Sequence, residues 1–258
     1  MKKVTKNLFL FAVIAVLLIF SGPASAGAPD LKVSIAFLPE LQETADKGVY
    51  VDLVKMIESV YEGKIERNVY PFPRSIDNVI SGKADFHMPM LRNKLVSADA
   101  LPYSYATEKM GDVYIVIYSH KDNPITLEMI MNAKGKDPYP YNIECPGGFD
   151  SYFHCPVNTS PGVENSLKKI NMKRIDALLN AQDECDIVVK QLKLKNIHRE
   201  LYDKFDDVLL IPKGDKGKEI DKAISSCLVK LRTDGKLQEA FSKIHVPYDD
   251  WQPHEMGW

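Results

Sequence analysis

Residues 48–92, GVYVDLVKMIESVYEGKIERNVYPFPRSIDNVISGKADFHMPMLR, decide how this chain folds. Leu53, Met56, Ile57 and Val60 recur at helical spacing within Val51 to Tyr61. Glu66 to Tyr70 is β-rich, and Pro71 and Pro73 separate it from a short helix, Ser75 to Ser81, whose apolar face is Ile76, Val79 and Ile80. Gly82 is placed to end that helix, because glycine accepts the left-handed backbone of a helix terminus. Ala84 to Met88 reads as a strand that runs out towards Arg92. A further strand, Lys32 to Phe37, precedes the block, so the order is strand, helix, strand, helix, strand. That order predicts a parallel sheet with crossover helices and puts a guanidinium beyond a strand end, where open α/β sheets engage ligands.

Outward from this block the pattern continues. Asp112 to Tyr118 (DVYIVIY) is a strong strand. Residues 119–162 are rich in Pro, Gly, Asn and Tyr, with a helix expected at Thr126 to Ala133 and a strand near Tyr141 to Glu144. Ser160-Pro161 reads as the cap and first-turn proline of a helix from Val163 to Ile170. RIDALLN, Arg174 to Asn180, reads as a strand before a helix from Asp183 to about Leu194, and a single long helix competes for the same residues. Val208 to Ile211 is a strand, Lys218 to Thr233 a helix with Ile220, Ile224, Cys227, Leu228 and Leu231 on one face, and Leu237 to Ile244 a last helix. The aromatic tail HVPYDDWQPHEMGW is expected to pack on the body rather than to act.

The N-terminus has the grammar of a cleavable export signal. Lys2, Lys3 and Lys6 precede thirteen apolar residues, Leu8 to Phe20, and SGPASA offers Ala24 and Ala26 for cleavage. Thirteen apolar residues are short for a membrane span, and no cysteine follows to carry a lipid anchor. The expected location is the periplasm. Loss of residues 1–26 removes three lysines and no acid, leaving 232 residues with 30 basic and 35 acidic side chains. A net charge of −5 and the lack of a dense basic patch argue against nucleic acid or anionic lipid as a partner.

Four cysteines in an exported chain lean towards two disulfides, for which three pairings exist. Cys145 with Cys155 is the first choice because only PGGFDSYFH separates them, which leaves Cys185 for Cys227. A metal site from Cys145, His154 and Cys155 is the rival, although its spacing matches no common zinc pattern. No nucleophile elbow, zinc-binding helix, phosphate loop or dinucleotide fingerprint occurs, and neither a metal nor a cofactor is expected.

Five stretches in order resemble the family-3 bacterial extracellular solute-binding proteins, which have the type II periplasmic binding fold. They are GVYVDLVKMI, PFPRSIDNVISGKADF, LPYSYA, RIDALLN and KGDKGKEIDKAISSCLVKLRTDGKLQEAFSKI, and together they cover nearly all of residues 31–245. The resemblance implies an α/β protein of two lobes, 27–118 with 208–258 and 119–207, joined by two hinge crossings. It also implies a monomer that traps a small polar, anionic or amino-acid-like solute by lobe closure and delivers it to an ABC permease or a sensor receptor, without catalysis. The alternative is an enzyme on the same fold, like the periplasmic cyclohexadienyl dehydratases, with His87 or Glu108 as its acid or base.

By the same resemblance, Arg92 falls where the family grips a ligand carboxylate, a task suited to the planar guanidinium fork. Arg74 is a second cation candidate. Phe37 and Met90 would wall the ligand, while Gly148 and Phe149 belong to a second-lobe turn whose free N–H groups suit an anion. The family's acidic partner for a ligand ammonium lies about five residues past the position of Asp176. Here that position is Ala181, and Asp183 is the nearest carboxylate able to serve.

Overall fold

The computed structural model describes residues 27–39 and 41–258, so the export signal expected at residues 1–26 lies outside the described residues. Strands β1 (Leu31–Ala36), β2 (Ile65–Tyr70) and β3 (Phe86–Leu91) form a parallel set, with α1 (Val49–Glu58) and α2 (Phe72–Ile80) as crossovers. β1 is buried at five of its six positions rather than at alternate ones, as befits a parallel strand covered on both faces. The long strand β4 (Ser104–His120) follows, then α3 (Leu127–Asn132), β5 (Ile143–Cys145), β6 (Asn158–Thr159), α4 (Val163–Asn171), β7 (Ala177–Ala181) and α5 (Gln182–Gln191). A second long strand, β8 (Ile197–Ile211), leads to α6 (Asp215–Thr233) and α7 (Lys236–Phe241).

All eight strands belong to one sheet in the order β2-β1-β3-β8-β4-β7-β5-β6. β4 and β8 make it continuous. Seventeen and fifteen residues long, they pair antiparallel from Ser104–Ile211 to His120–Ile197. At roughly 3.3 Å per residue they reach on the order of 50 Å and so belong to both lobes as the two crossings. Their pairing slips between Tyr105 and Lys109, between Lys109 and Gly111, and between Ile115 and Val116. Such irregularities bend a ladder, which is what a crossing between two bodies requires. At Gly111 a Cβ would collide with the Phe241 ring, so the first crossing stays slim where α7 lies on it.

Sequence patterning found only Asp112 to Tyr118 and Val208 to Ile211 as strand in these regions. The remainder of β4 carries Glu108 and Lys109, which do not alternate with apolar residues. Glu108 pairs with Arg232 at 2.5 Å, and Lys109 with Asp112 and Asp206 at 2.7 and 2.9 Å. The first lobe packs β1, α1, α6 and α7 around Val33, Ile35, Leu53, Ile57, Ile224, Leu228 and Phe241. The second packs α4 and α5 on β4 and β7 around Val116, Tyr118, Leu167, Ile170 and Val189. Of the strand expected at Arg174 to Asn180, β7 takes Ala177 onward and runs to Ala181, and α5 follows at once, so the single-helix reading is excluded.

Two local expectations change. α2 begins at Phe72, three residues early, with Pro73 in its first turn, where the missing N–H costs nothing. Its buried face is Ser75, Asn78 and Val79, while Ile80 is 43 % exposed, because Ser75 and Asn78 hydrogen-bond Ser34 on β1. α4 is capped by Gly162, and Ser160 instead accepts the Gly162 N–H just outside it.

The two expected disulfides are not formed; all four cysteines are free and buried. Cys185 packs in the second-lobe core and Cys227 in the first-lobe core, each as a small apolar side chain. Cys145 and Cys155 share the core between them, where burial pushes their thiols up to about 12 and about 11. No cluster of His, Cys, Asp and Glu suited to a metal occurs among the described residues, which leaves the Cys145, His154 and Cys155 rival without support. No helix among the described residues is long and apolar enough to cross a membrane.

Candidate functional site

A cleft of about 230 Å³ opens between the lobes. The first lobe contributes Leu38, Leu41, Tyr50, Phe72 and the segment Pro89 to Leu91. The crossings contribute Val113 and Asp207, and the second lobe Pro146, Gly147, Phe149, Phe153 and Asn180 to Glu184 apart from Gln182. The last wall is His245, from the tail. Phe72 reaches the cleft because α2 starts early, and its ring meets Phe149 of the other lobe at 5.2 Å. Asn93 donates to the Ser151 carbonyl at 3.2 Å and Tyr152 to the Leu91 carbonyl at 2.8 Å, so the lobes touch along one side.

The polar end is built around His245. Its Nδ1 meets Asp183, in the first turn of α5, and its Nε2 lies 3.0 Å from the Tyr50 hydroxyl, which donates to Asp207 Oδ2 at 3.3 Å. Nε2 is also 3.4 Å from the same Asp207 oxygen. Burial alone would lower the imidazole, but hydrogen bonds and charge from Asp183 and Asp207 outweigh it and hold His245 up to about 9. An imidazolium donating at both nitrogens gives every bond in this chain a donor and an acceptor. Burial raises the Asp207 carboxyl, against the pull of His245 and Tyr50. Glu184, one residue beyond Asp183, is pushed up to about 7 by burial and by Asp183, with His245 and Asn180 opposing.

The residues expected from the sequence separate into two groups. Met90, Phe149 and Asp183 line the cleft. Gly148 does not; it makes the turn, at φ 87°, that lets Gly147 and Phe149 do so. The helical turn beyond it, Asp150–Tyr152, is too short to act as an anion site. Phe37 is 42 % exposed and outside the cleft lining. Arg74 faces a separate surface hollow with Glu66 and Lys83. Arg92 is also absent from the lining. Its Nη2 donates to the Ala106 carbonyl at 3.1 Å, its Nε lies 3.5 Å from Asp206, and it stacks over Tyr105. The expected carboxylate clamp is thus spent on the first crossing, and no Arg or Lys occurs among the described cleft residues.

Neither acid-base candidate is in the cleft. His87 is fully buried on β3 with Nδ1 2.7 Å from the Ser75 hydroxyl, and burial lowers it to about 3, while Glu108 pairs with Arg232. Sequence reasoning missed Tyr50, Phe72, Glu184, Asp207 and His245. Tyr50 and Asp207 lay one residue outside the expected helix Val51 to Tyr61 and strand Val208 to Ile211, and His245 read as one residue of an aromatic tail. Asp207, charged at the foot of the apolar run VLLI, was the one local signal.

Comparison with solved structures identifies the fold as the two-lobed type II periplasmic binding fold. A histidine kinase sensor domain with similarity to periplasmic binding proteins matches with a TM-score of 0.64 at 15 % identity, over 83 % of this chain and 95 % of that one. The GluR0 ligand-binding core from Nostoc punctiforme, in complex with L-glutamate, matches at 0.62 and 15 % over 84 % and 100 %. An ancestral amino acid-binding protein, described as a precursor of cyclohexadienyl dehydratase, matches at 0.60 and 14 % over 83 % and 94 %. No protein-family model and no curated protein sequence matches the chain.

Proposed function

We propose that this chain is an exported solute-binding protein that captures one small solute between its lobes and presents the closed form to an ABC importer or a sensor receptor. The observation that carries this reading is the cleft itself, walled by both lobes and both crossings and dominated by apolar side chains with polar groups gathered at one end. Its volume suits a molecule of amino-acid size, in keeping with the glutamate-bound and amino-acid-binding neighbours. The anionic preference inferred from Arg92 is not carried forward, since that guanidinium is engaged elsewhere. Native mass spectrometry of freshly purified protein is expected to show one small solute that leaves on denaturation. A bare polypeptide that takes up nothing from a periplasmic extract would contradict the reading.

One observation favours an enzyme as the second reading: Glu184, held near 7 in the cleft, has the acidity of a general acid or base. Prephenate and arogenate are expected to remain unconverted by the protein, and turnover of either would favour catalysis.

A further inference from the structure

The lining of the cleft is unbalanced in charge. Asp183, Glu184 and Asp207 face a single cationic group, His245, and no Arg or Lys joins them among the described residues. The hydrogen bonds are unbalanced in the same sense. Asp183 receives His245 and, more distantly, the Val246 N–H at 3.4 Å, and Asp207 Oδ2 receives Tyr50 and His245. Asp207 is fully buried; the Met90 backbone N–H also approaches its carboxylate, yet Oδ1 has no partner of full hydrogen-bond geometry. An unmet buried acceptor of this kind needs an explanation, and an N–H donor from outside the chain supplies one. Glu184 lines the same cleft, with Asn180 as its polar neighbour and no cationic side chain in ion-pair contact with it among the described residues.

The rest of the cleft is apolar. Phe72, Phe149 and Phe153 form a wall continued by Leu38, Leu41 and Met90. An apolar cavity of about 150 Å³ takes up benzene, so about 230 Å³ admits an aromatic ring with a short polar arm. A ligand carboxylate, by contrast, would enter a partly desolvated site against three carboxylates with no arginine to receive it.

We propose that the cleft selects a primary organic amine that has an apolar or aromatic body and no carboxylate, its ammonium donating to Asp207 Oδ1 and Glu184 while its body lies on the phenylalanine wall. This names the ligand class of the solute-binding reading and rests on that reading. A primary ammonium is required rather than a quaternary one, because the orphan Asp207 oxygen asks for a hydrogen and not only for positive charge.

Isothermal titration of the mature protein at pH 7.5 tests this with four probes: 2-phenylethylamine, its N,N,N-trimethyl derivative, L-phenylalanine and 3-phenylpropionate. The primary amine is expected to bind at least tenfold more tightly than the trimethyl derivative or L-phenylalanine, and 3-phenylpropionate to give no binding heat. Glu184→Gln and Asp207→Asn are each expected to weaken the amine at least tenfold. Glu184 lies outside the His245 chain of hydrogen bonds, so Glu184→Gln reads out the site even where Asp207→Asn fails to fold. Equal or tighter binding of 3-phenylpropionate or L-phenylalanine overturns the amine class and leaves solute binding standing, as does unchanged amine affinity in Glu184→Gln. Failure of all four probes together with a bare native mass overturns both.

Discussion

His245 joins three parts of the chain through two ring nitrogens: Asp183 of the second lobe, Tyr50 of the first and Asp207 of a crossing. Its acidity lies near 9 when folded against an ordinary 6.5, so folding binds a proton. The stabilisation is complete below about 6.5 and is lost as pH rises through 9, and a shift of this size corresponds to about 3 kcal/mol. Glu184, raised from 4.5 to about 7, acts in the same direction over a lower window and loses its contribution as pH rises through 7. Denaturant unfolding should therefore show stability declining from mildly acidic to alkaline pH. His245→Gln should be less stable than the parent by about 3 kcal/mol at pH 6 and should converge with it above pH 9. A constant difference across that range would show that the imidazole is not charged in the cleft.

At the scale of elements, the tail is the unexpected member. Ile244 belongs to the first-lobe core, whereas Tyr248 and Trp251 pack on the second, so the segment between them passes from one lobe to the other beside the cleft. Arg199 of β8 fastens it. This guanidinium is fully buried, pairs with Asp186 at 2.9 and 2.8 Å, donates to the Asp249 and Trp251 carbonyls and stacks on Trp251. Tyr118 donates to the same Asp186 carboxylate at 2.7 Å. Arg199→Met should cost about 3–5 kcal/mol, since it strands a buried carboxylate, and Arg199→Met with Asp186→Leu should recover much of that loss. Thermal melts and proteolysis of the tail would show both effects.

The same segments explain what was legible beforehand. α1 and α6 were readable because one face of each is apolar at helical spacing, whereas α2 was readable as a helix but not in its buried face, which is Ser75, Asn78 and Val79; β1 to β3 were readable because short β-rich runs sit between turn signals. The full lengths of β4 and β8 were not, because Glu108, Lys109, Lys204 and Asp206 pair with charges across the crossing instead of alternating with apolar neighbours. Phe149 and Asp183 were legible only through the family resemblance, which put a second-lobe turn and an acidic position there. Tyr50, Asp207 and His245 were not, since they are 195 residues apart at the extremes and only the closed topology brings them together. The cysteine expectation failed for a related reason: sequence separation suggested partners, but Cys185 and Cys227 are buried in different lobes.

At the scale of the whole molecule, the cleft is expected to open and close about β4 and β8, with the tail as a third link that limits the excursion. The lobes touch through Phe72 and Phe149 and through Asn93 and Ser151, contacts that an opened form would break. Met172 on the second lobe and Val229 on α6 of the first are 50 % and 46 % exposed, so each can be replaced by a labelled cysteine while the four native thiols stay buried. Pulsed electron spin measurements of the distance between labels at Met172→Cys and Val229→Cys, before and after adding a small-molecule extract of the periplasm, test the central claim most directly. The expected result is a broad distribution that narrows and shifts when the solute is captured; a distribution unchanged by an extract that demonstrably binds would contradict capture by lobe closure.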